Sequence, residues 1–240
     1  MKPELVLQNW VLFLDGLWTT VHLTALALAL GLCIAVPAAF LRLYRVPVLS
    51  LLVDAYVALF RGTPLLVQVY MVYYGLSQFD WIRETWAWFL LREAWWCALI
   101  TFALNSGAYA TEILRGAIKA TPDGELDAAL ALGLRPRQVD RLILLPGALR
   151  RALPQLGNET VFMLHGSAVA SVITVQDILG AGRQLNARFY LAYEGLVTAA
   201  VLYMLVTLVV VTAFRALERR YLRHLRMDFM PRTRGVPAMR

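Results

Sequence analysis

Charge is scarce in this 240-residue chain: Asp, Glu, Lys and Arg make up 16% of it, against 60% hydrophobic residues. Soluble domains carry about 25% charged and about 45–50% apolar residues. That deficit, with a mean hydropathy of +0.60, excludes an ordinary soluble fold and points to an all-α integral membrane protein. Cysteine is nearly missing as well. The two present, Cys33 and Cys97, lie in apolar runs, where a thiol behaves as a small hydrophobe, so neither a disulfide framework nor a metal-ligand spacing is expected. There is no GxxxxGK[ST] phosphate loop, hence no expected ATP site on this chain. No Ser/His/Asp or Cys/His spacing suggests nucleophilic catalysis, so the chain is not expected to be an enzyme. The start, MKPELVLQNW, lacks a basic n-region and a following cleavage site, and no cleavable secretory signal is expected. Internal repeats and low-complexity tracts are missing too.

What is present is a series of long apolar runs. Crossing roughly 30 Å of hydrocarbon takes about 20 such residues in a helix. Five segments meet that length, about 16–41, 51–76, 94–114, 158–178 and 195–216. They leave a leader at 1–15 and a basic tail at 218–240. The connections predict the orientation. Those after the first and third spans, with the tail, hold 17 Lys and Arg; the leader and the other two loops hold 5. By the positive-inside rule the N-terminus faces outside and the C-terminus the cytoplasm, as an odd number of spans requires. The net charge of +7 is absorbed by this asymmetry and by a tail suited to anionic lipid, so no nucleic-acid partner is expected. Trp81, Trp86 and Trp88 in the 77–93 loop, with Trp95 and Trp96 beyond it, read as a headgroup-level aromatic belt.

The connection between the third and fourth spans is long, and long connections in compact proteins carry structure or function. DGELDAALALGL opens with Asp123 and Gly124 as a turn and cap, and Asp123, Glu125 and Asp127 oppose the helix dipole. Leu126, Ala129, Leu130 and Leu134 repeat at helical spacing. Arg135-Pro136 is expected to stop this helix, and a second is expected over 137–145, ending before Pro146. Ala128 and Ala129 allow close approach, and Gly133 supplies a turn without a Cβ penalty. Periodicity alone permits two uses for this greasy element, lying on the membrane or entering a groove on a cytoplasmic partner.

Polar residues inside spans cost roughly 2.5–3.5 kcal/mol each when charged, so each needs a partner or a task. Arg61 beside Gly62-Thr63-Pro64 reads either as an ion pair at a proline kink or as a gate lining the path. Glu112 is expected either to pair with Arg61 from the antiparallel neighbouring span or to meet a cationic substrate. His165, Gly166, Ser167 and Ser171 form the most polar stripe of any span. There His165 either packs or binds a substrate carboxylate. Asn158-Glu159 is expected to cap the fourth span. His22 and Asp54 are expected to make interior or interfacial hydrogen bonds.

One motif is specific. Asp127-Ala128-Ala129, three residues, Gly133, nine residues, then Ile143-Leu144-Leu145-Pro146 resembles the EAA loop of permease subunits in binding-protein-dependent ABC importers, with Asp127 where Glu is usual. Phe60-Arg61-Gly62-Thr63-Pro64-Leu65-Leu66-Val67-Gln68 and Ala108-Tyr109-Ala110-Thr111-Glu112-Ile113, followed by Arg115-Gly116-Ala117-Ile118, resemble the second- and third-span motifs of the polar amino-acid group. Met163-Leu164-His165-Gly166-Ser167-Ala168 and Phe214-Arg215-Ala216-Leu217-Glu218-Arg219-Arg220 resemble M-type membrane subunits of the histidine/lysine/arginine/ornithine and octopine/nopaline importers. The resemblance spans about residues 10–225.

It implies a type I ABC importer transmembrane domain of five spans in the bacterial inner membrane. Expected partners are a second homologous permease, two ATPase subunits holding ATP and Mg²⁺, and a periplasmic or lipid-tethered binding protein that delivers a basic amino acid or opine. Gly124, Asp127, Ala128, Ala129, Gly133 and Pro146 would couple to an ATPase. The path or gate would draw on Arg61, Gly62, Thr63, Pro64, Tyr109, Glu112, His165, Ser167 and Ser171. A general polar amino-acid or glutamine importer, or a secondary transporter acting without ATPases, are the competing readings.

Overall fold

The computed structural model describes residues 3–222, which contain helices and no strand. A short helix, α1 (Pro3–Gln8), precedes the long α2 (Trp10–Leu43). α2 starts inside the expected leader, and at about 1.5 Å per residue its 34 residues exceed a bilayer core. Pro37 sits inside it without ending it. Next come α3 (Leu49–Gly62) and α4 (Leu65–Tyr70), the latter prolonged by a π-helical turn, Met71–Gly75. α5 (Asp80–Arg83) and α6 (Trp88–Leu91) are single turns ahead of α7 (Ala94–Lys119). After α7 follow α8 (Asp123–Ala131), α9 (Pro136–Val139), a π turn at Asp140–Leu144 and α10 (Leu145–Gly166). The chain ends in α11 (Ile178–Phe189) and α12 (Glu194–Tyr221). The basic tail lies outside the described residues from 223 on.

Three of these helices, α2, α7 and α12, are long and apolar enough to cross a membrane. Two bent pairs bring the number to five: Leu49–Gly62 with Leu65–Gln78, turned by 108°, and Pro136–Ile173 with Ile178–Phe189, turned by 44°. The three unbroken spans differ in role. Of the most apolar window, 72% is buried in α7 but only 6% in α12, so α7 is the central post and α12 presents most of its surface outward.

Small residues set the α2–α7 contact. A Cβ on Gly31 would lie 2.9 Å from the Gly107 nitrogen and 3.1 Å from the Ala103 carbonyl oxygen. Without large side chains the backbones approach closely, which drives packing where lipid offers no hydrophobic gain. The buried hydroxyls Thr20, Thr101 and Thr111 donate to carbonyls one turn back, at 2.9, 2.7 and 2.7 Å. Such bonds spare them the cost of an unpaired group in an apolar medium. One apolar core joins Leu23, Val69, Phe102, Met163 and Ile173. A second joins Ala39, Leu114, Ile118, Ala129 and Ala148, seating α8 on the end of the bundle.

The connection after α7 departs from expectation in three ways. α8 has no side-chain cap. It stops at Gly133 (φ +70°) rather than at Arg135-Pro136, with the Leu134 nitrogen donating to the Ala129 carbonyl at 3.1 Å. Pro146 does not end a helix; it sits in the first turn of α10, where a missing N–H costs nothing. Of the periodic face, Ala129 is buried and Leu130 is exposed.

Candidate functional site

The break between α3 and α4 organises the site. Pro64 cannot donate a helical hydrogen bond and pushes Thr63 into extended backbone. Carbonyls at the end of α3 are thereby left without helical partners. Two amides that sequence reasoning gave no role satisfy them. Gln68 Nε2 donates to the carbonyls of Phe60 and Thr63 at 2.8 and 3.0 Å and contacts the Thr63 hydroxyl at 2.8 Å. Asn105 Nδ2 of α7 donates to the Phe60 carbonyl at 3.2 Å and to Gln68 Oε1 at 2.9 Å. Both side chains are buried, so the kink is a hydrogen-bonded feature. An amide one turn after an X-Pro break inside an apolar run was the available signal.

Against this break lies a cavity of about 380 Å³, lined by Thr63, Pro64 and Leu65, by Asn105 and Tyr109 of α7, and by Glu159, Phe162 and Met163 of α10. Its charged lining residue is Glu159. The Arg61 guanidinium lies 5.2 Å from the centroid of the Tyr109 ring, a cation–π distance. Glu159 is 7% exposed and has no hydrogen-bond or ion-pair partner among the described residues; the charge acting on it is that of Arg61. Glu159 was expected to cap a span. α10 runs unbroken through that position, so the carboxylate faces the cavity from mid-helix instead. A buried carboxylate with free lone pairs and a nearby guanidinium over an aromatic ring can hold the ammonium and carboxylate ends of a small zwitterion.

The expected Arg61–Glu112 pair is not formed. Glu112 pairs with Arg42 of α2, which also holds Asp54 of α3 at 2.5 Å, and Arg115 joins Glu112 at 3.4 Å. The close α2–α7 crossing brings the last turn of α2, and not α3, beside Glu112. This cluster lies at the end of the bundle where the connection begins. There the Tyr44 hydroxyl hydrogen-bonds Asp140 of the π turn, while Arg151 of α10 donates to the Ala117 carbonyl at 3.1 Å and the Thr121 hydroxyl at 2.5 Å. Partial desolvation, with Asp140 beside it, pushes the half-exposed Tyr44 phenol up to about 12. These contacts fasten the base of the 122–146 segment to α2 and α7. Its outward side exposes Leu130, Leu132 and Leu142.

Of the expected path residues, Thr63, Pro64 and Tyr109 line the cavity, with Arg61 stacked on Tyr109 and Gly62 adjoining at the end of α3. The remaining four lie elsewhere. Glu112 belongs to the charge cluster. His165 Nε2 is 2.9 Å from the Thr207 hydroxyl of α12 and lines a separate cavity with Tyr203 and Arg215. Ser167 and Ser171 donate to carbonyls within their own turn, at 2.7 and 2.9 Å. His22 stacks between Trp18 and Trp95, with centroids at 5.5 and 5.9 Å.

Residues 27–223 match the family described as "binding-protein-dependent transport system inner membrane component". The octopine transport system permease protein OccM of Rhizobium radiobacter is 38% identical over 90% of this chain and 88% of its own length. The arginine ABC transporter permease ArtM of Haemophilus influenzae is 39% identical over 86% and 91%. The histidine/lysine/arginine/ornithine permease HisM of Escherichia coli K12 is 37% identical over 93% and 97%. Among solved structures, an amino acid ABC transporter crystallised with histidines superposes with a TM-score of 0.79 at 31% identity, covering 90% of this chain and 96% of that one. The long apolar helices agree with these matches, and the chain belongs to the inner-membrane permease family of binding-protein-dependent ABC importers.

Proposed function

We propose that this chain, paired with a second homologous permease, carries a basic amino acid or opine into the cytoplasm. Its N-terminus faces outside and its C-terminus inside. An external binding protein delivers the substrate. Two ATPase subunits, which hold ATP and Mg²⁺, drive the cycle through the 122–146 loop, where Gly124, Asp127, Ala128, Ala129, Gly133 and Pro146 shape the contact. The observation carrying this reading is the Glu159 carboxylate, buried in a cavity whose Tyr109 wall carries the Arg61 guanidinium, and without a hydrogen-bond partner among the described residues. A buried carboxylate is costly unless something compensates it, and a substrate cation is the compensation the cavity has room for. The relatives named for arginine, for histidine/lysine/arginine/ornithine and for octopine support the substrate class.

During transport, substrate ammonium or guanidinium would sit on Glu159 and its carboxylate on Arg61 beside Tyr109. The bend held by Gln68 and Asn105 would let the α3 half move against the α4 half. The test is uptake of labelled arginine, lysine, octopine and glutamine by the reconstituted transporter with Glu159→Gln. Uptake of the cationic substrates should fall at least about tenfold, the loss of one charge-assisted hydrogen bond, with ATPase co-purification unchanged. Undiminished arginine and octopine uptake would reject the assignment.

A further inference from the structure

α12 leaves a grooved face uncovered. Of its most apolar window only 6% is buried, and beside α10 its free side borders a groove of about 730 Å³. Ala200, Met204, Thr207 and Val211 follow one another along that groove at steps of four, three and four residues. That is the spacing with which one helix seats another along a continuous seam. Ala200 is small and exposed, which lets a second backbone come close.

The groove also carries polarity at membrane depth. His165 of α10 lines it and is exposed. The Thr207 hydroxyl donates to the Tyr203 carbonyl at 2.7 Å, so toward His165 Nε2, at 2.9 Å, it can only accept. A neutral imidazole there carries its proton on Nε2 and presents Nδ1 as a bare acceptor. Nδ1 has no hydrogen-bond partner among the described residues. Hydrocarbon offers it no donor, and ionisable side chains within spans face protein or a water-filled cavity.

Position limits what can cover this face. Residues 200–211 lie in the middle of α12, a helix long and apolar enough to cross a membrane, beyond the reach of an ATPase or an external binding protein. A lipid chain reaches the groove but leaves Nδ1 unpaired; a membrane-spanning helix can fill the seam and bring a donor. We propose that the groove between α10 and α12 is the surface on which the second permease docks, with one helix laid along Ala200, Met204, Thr207 and Val211 and a donor to His165 Nδ1. This rests on the reading that two permeases pair. Phe162, one turn before His165 on α10, is exposed and lines the Glu159 cavity. The seam therefore adjoins the proposed substrate site, and the second permease closes its open side.

The test uses the whole transporter in its native membranes. The photoreactive residue p-benzoylphenylalanine replaces Met204, or Leu208 if the first chain does not assemble, and in a control it replaces Val209. Val209 is exposed too but lies about 140° farther round the helix. After illumination the adducts are identified by mass. Expected is a covalent adduct with a permease of this family from position 204 and none from position 209, which reacts with lipid. Ala200→Phe should abolish co-purification of the second permease, and Val209→Phe should leave it unchanged. Adducts with lipid alone from position 204, equal permease adducts from both positions, or undiminished pairing in Ala200→Phe would overturn the surface. The two readings fail separately. If no second permease accompanies the unsubstituted chain, pairing itself is refuted; if one does while position 204 meets only lipid, pairing stands and this surface falls.

Discussion

Removing Arg42 should damage this protein far more than removing any one of its acidic partners. The Arg42 side chain is 13% exposed and touches two carboxylates, Glu112 at 23% exposure and Asp54 at 47%. Taking out one member of a buried ion pair typically costs about 3–5 kcal/mol, because the other charge stays buried. Arg42→Met leaves Glu112 with only Arg115, at 3.4 Å, so its cost falls in that range. Glu112→Gln leaves Arg42 still holding Asp54, and about 1–3 kcal/mol follows. Asp54→Asn removes a half-exposed partner that water screens, for at most about 1 kcal/mol. Thermal unfolding of the solubilised transporter should rank Arg42→Met, Glu112→Gln and Asp54→Asn in that order of destabilisation, the first by on the order of ten degrees. Charge reversal makes the partner explicit: the defect of Glu112→Arg should be relieved by Arg42→Glu and not by Arg61→Glu. Rescue by Arg61→Glu, or an Asp54→Asn effect equal to that of Arg42→Met, would refute the network.

Three further outcomes follow from packing and hydrogen bonding. Gly31→Ala should cost about 1–3 kcal/mol by forcing α2 and α7 apart, whereas Gly116→Ala, whose Cβ meets nothing within 4 Å, should be neutral or slightly stabilising; yield and unfolding temperature compare them. Gln68→Leu deprives the Thr63 carbonyl of its amide donor at the break. It should cost about 1–3 kcal/mol, above the roughly 0.6 kcal/mol average for hydrogen bonds inside membranes, since these carbonyls have no helical alternative. The Tyr44 phenol is raised from 10.0 to about 12, so the stability it contributes is fully present below pH 10 and is lost as pH rises toward 12. Tyr44→Phe should remove that part of the alkaline decline in melting temperature.

Much of this could be read along the chain because local physics decides it. Apolar runs of span length mark α2, α7 and α12, and the X-Pro rule located the break at Gly62-Thr63-Pro64, now seen as a 108° turn. The left-handed φ of Gly133 is the conformation its placement suggested. What escaped depends on contacts between distant segments. Depth alone suggested Arg61 as the partner of Glu112; the Gly31–Gly107 approach, invisible to hydropathy, brings Arg42 there instead. Glu159 looked like a cap because the fourth span was expected to begin near residue 158. α10 instead takes Pro146 into its first turn and carries Pro154 inside, which turns Glu159 into a mid-helix group. Gln68 and Asn105 matter only once the carbonyls of the break are accounted for.

The most direct test of the central claim is co-purification of the tagged chain from its native membranes in mild detergent, with its companions identified by mass. The account predicts an ATPase carrying a phosphate loop, together with a second permease, and predicts loss of the ATPase alone when Gly133 is replaced by Leu. A left-handed turn resists a β-carbon by about 1–2 kcal/mol, and α8 would lose the shape it presents. A chain that purifies alone across several detergents, or that keeps the ATPase undiminished in Gly133→Leu, would contradict it.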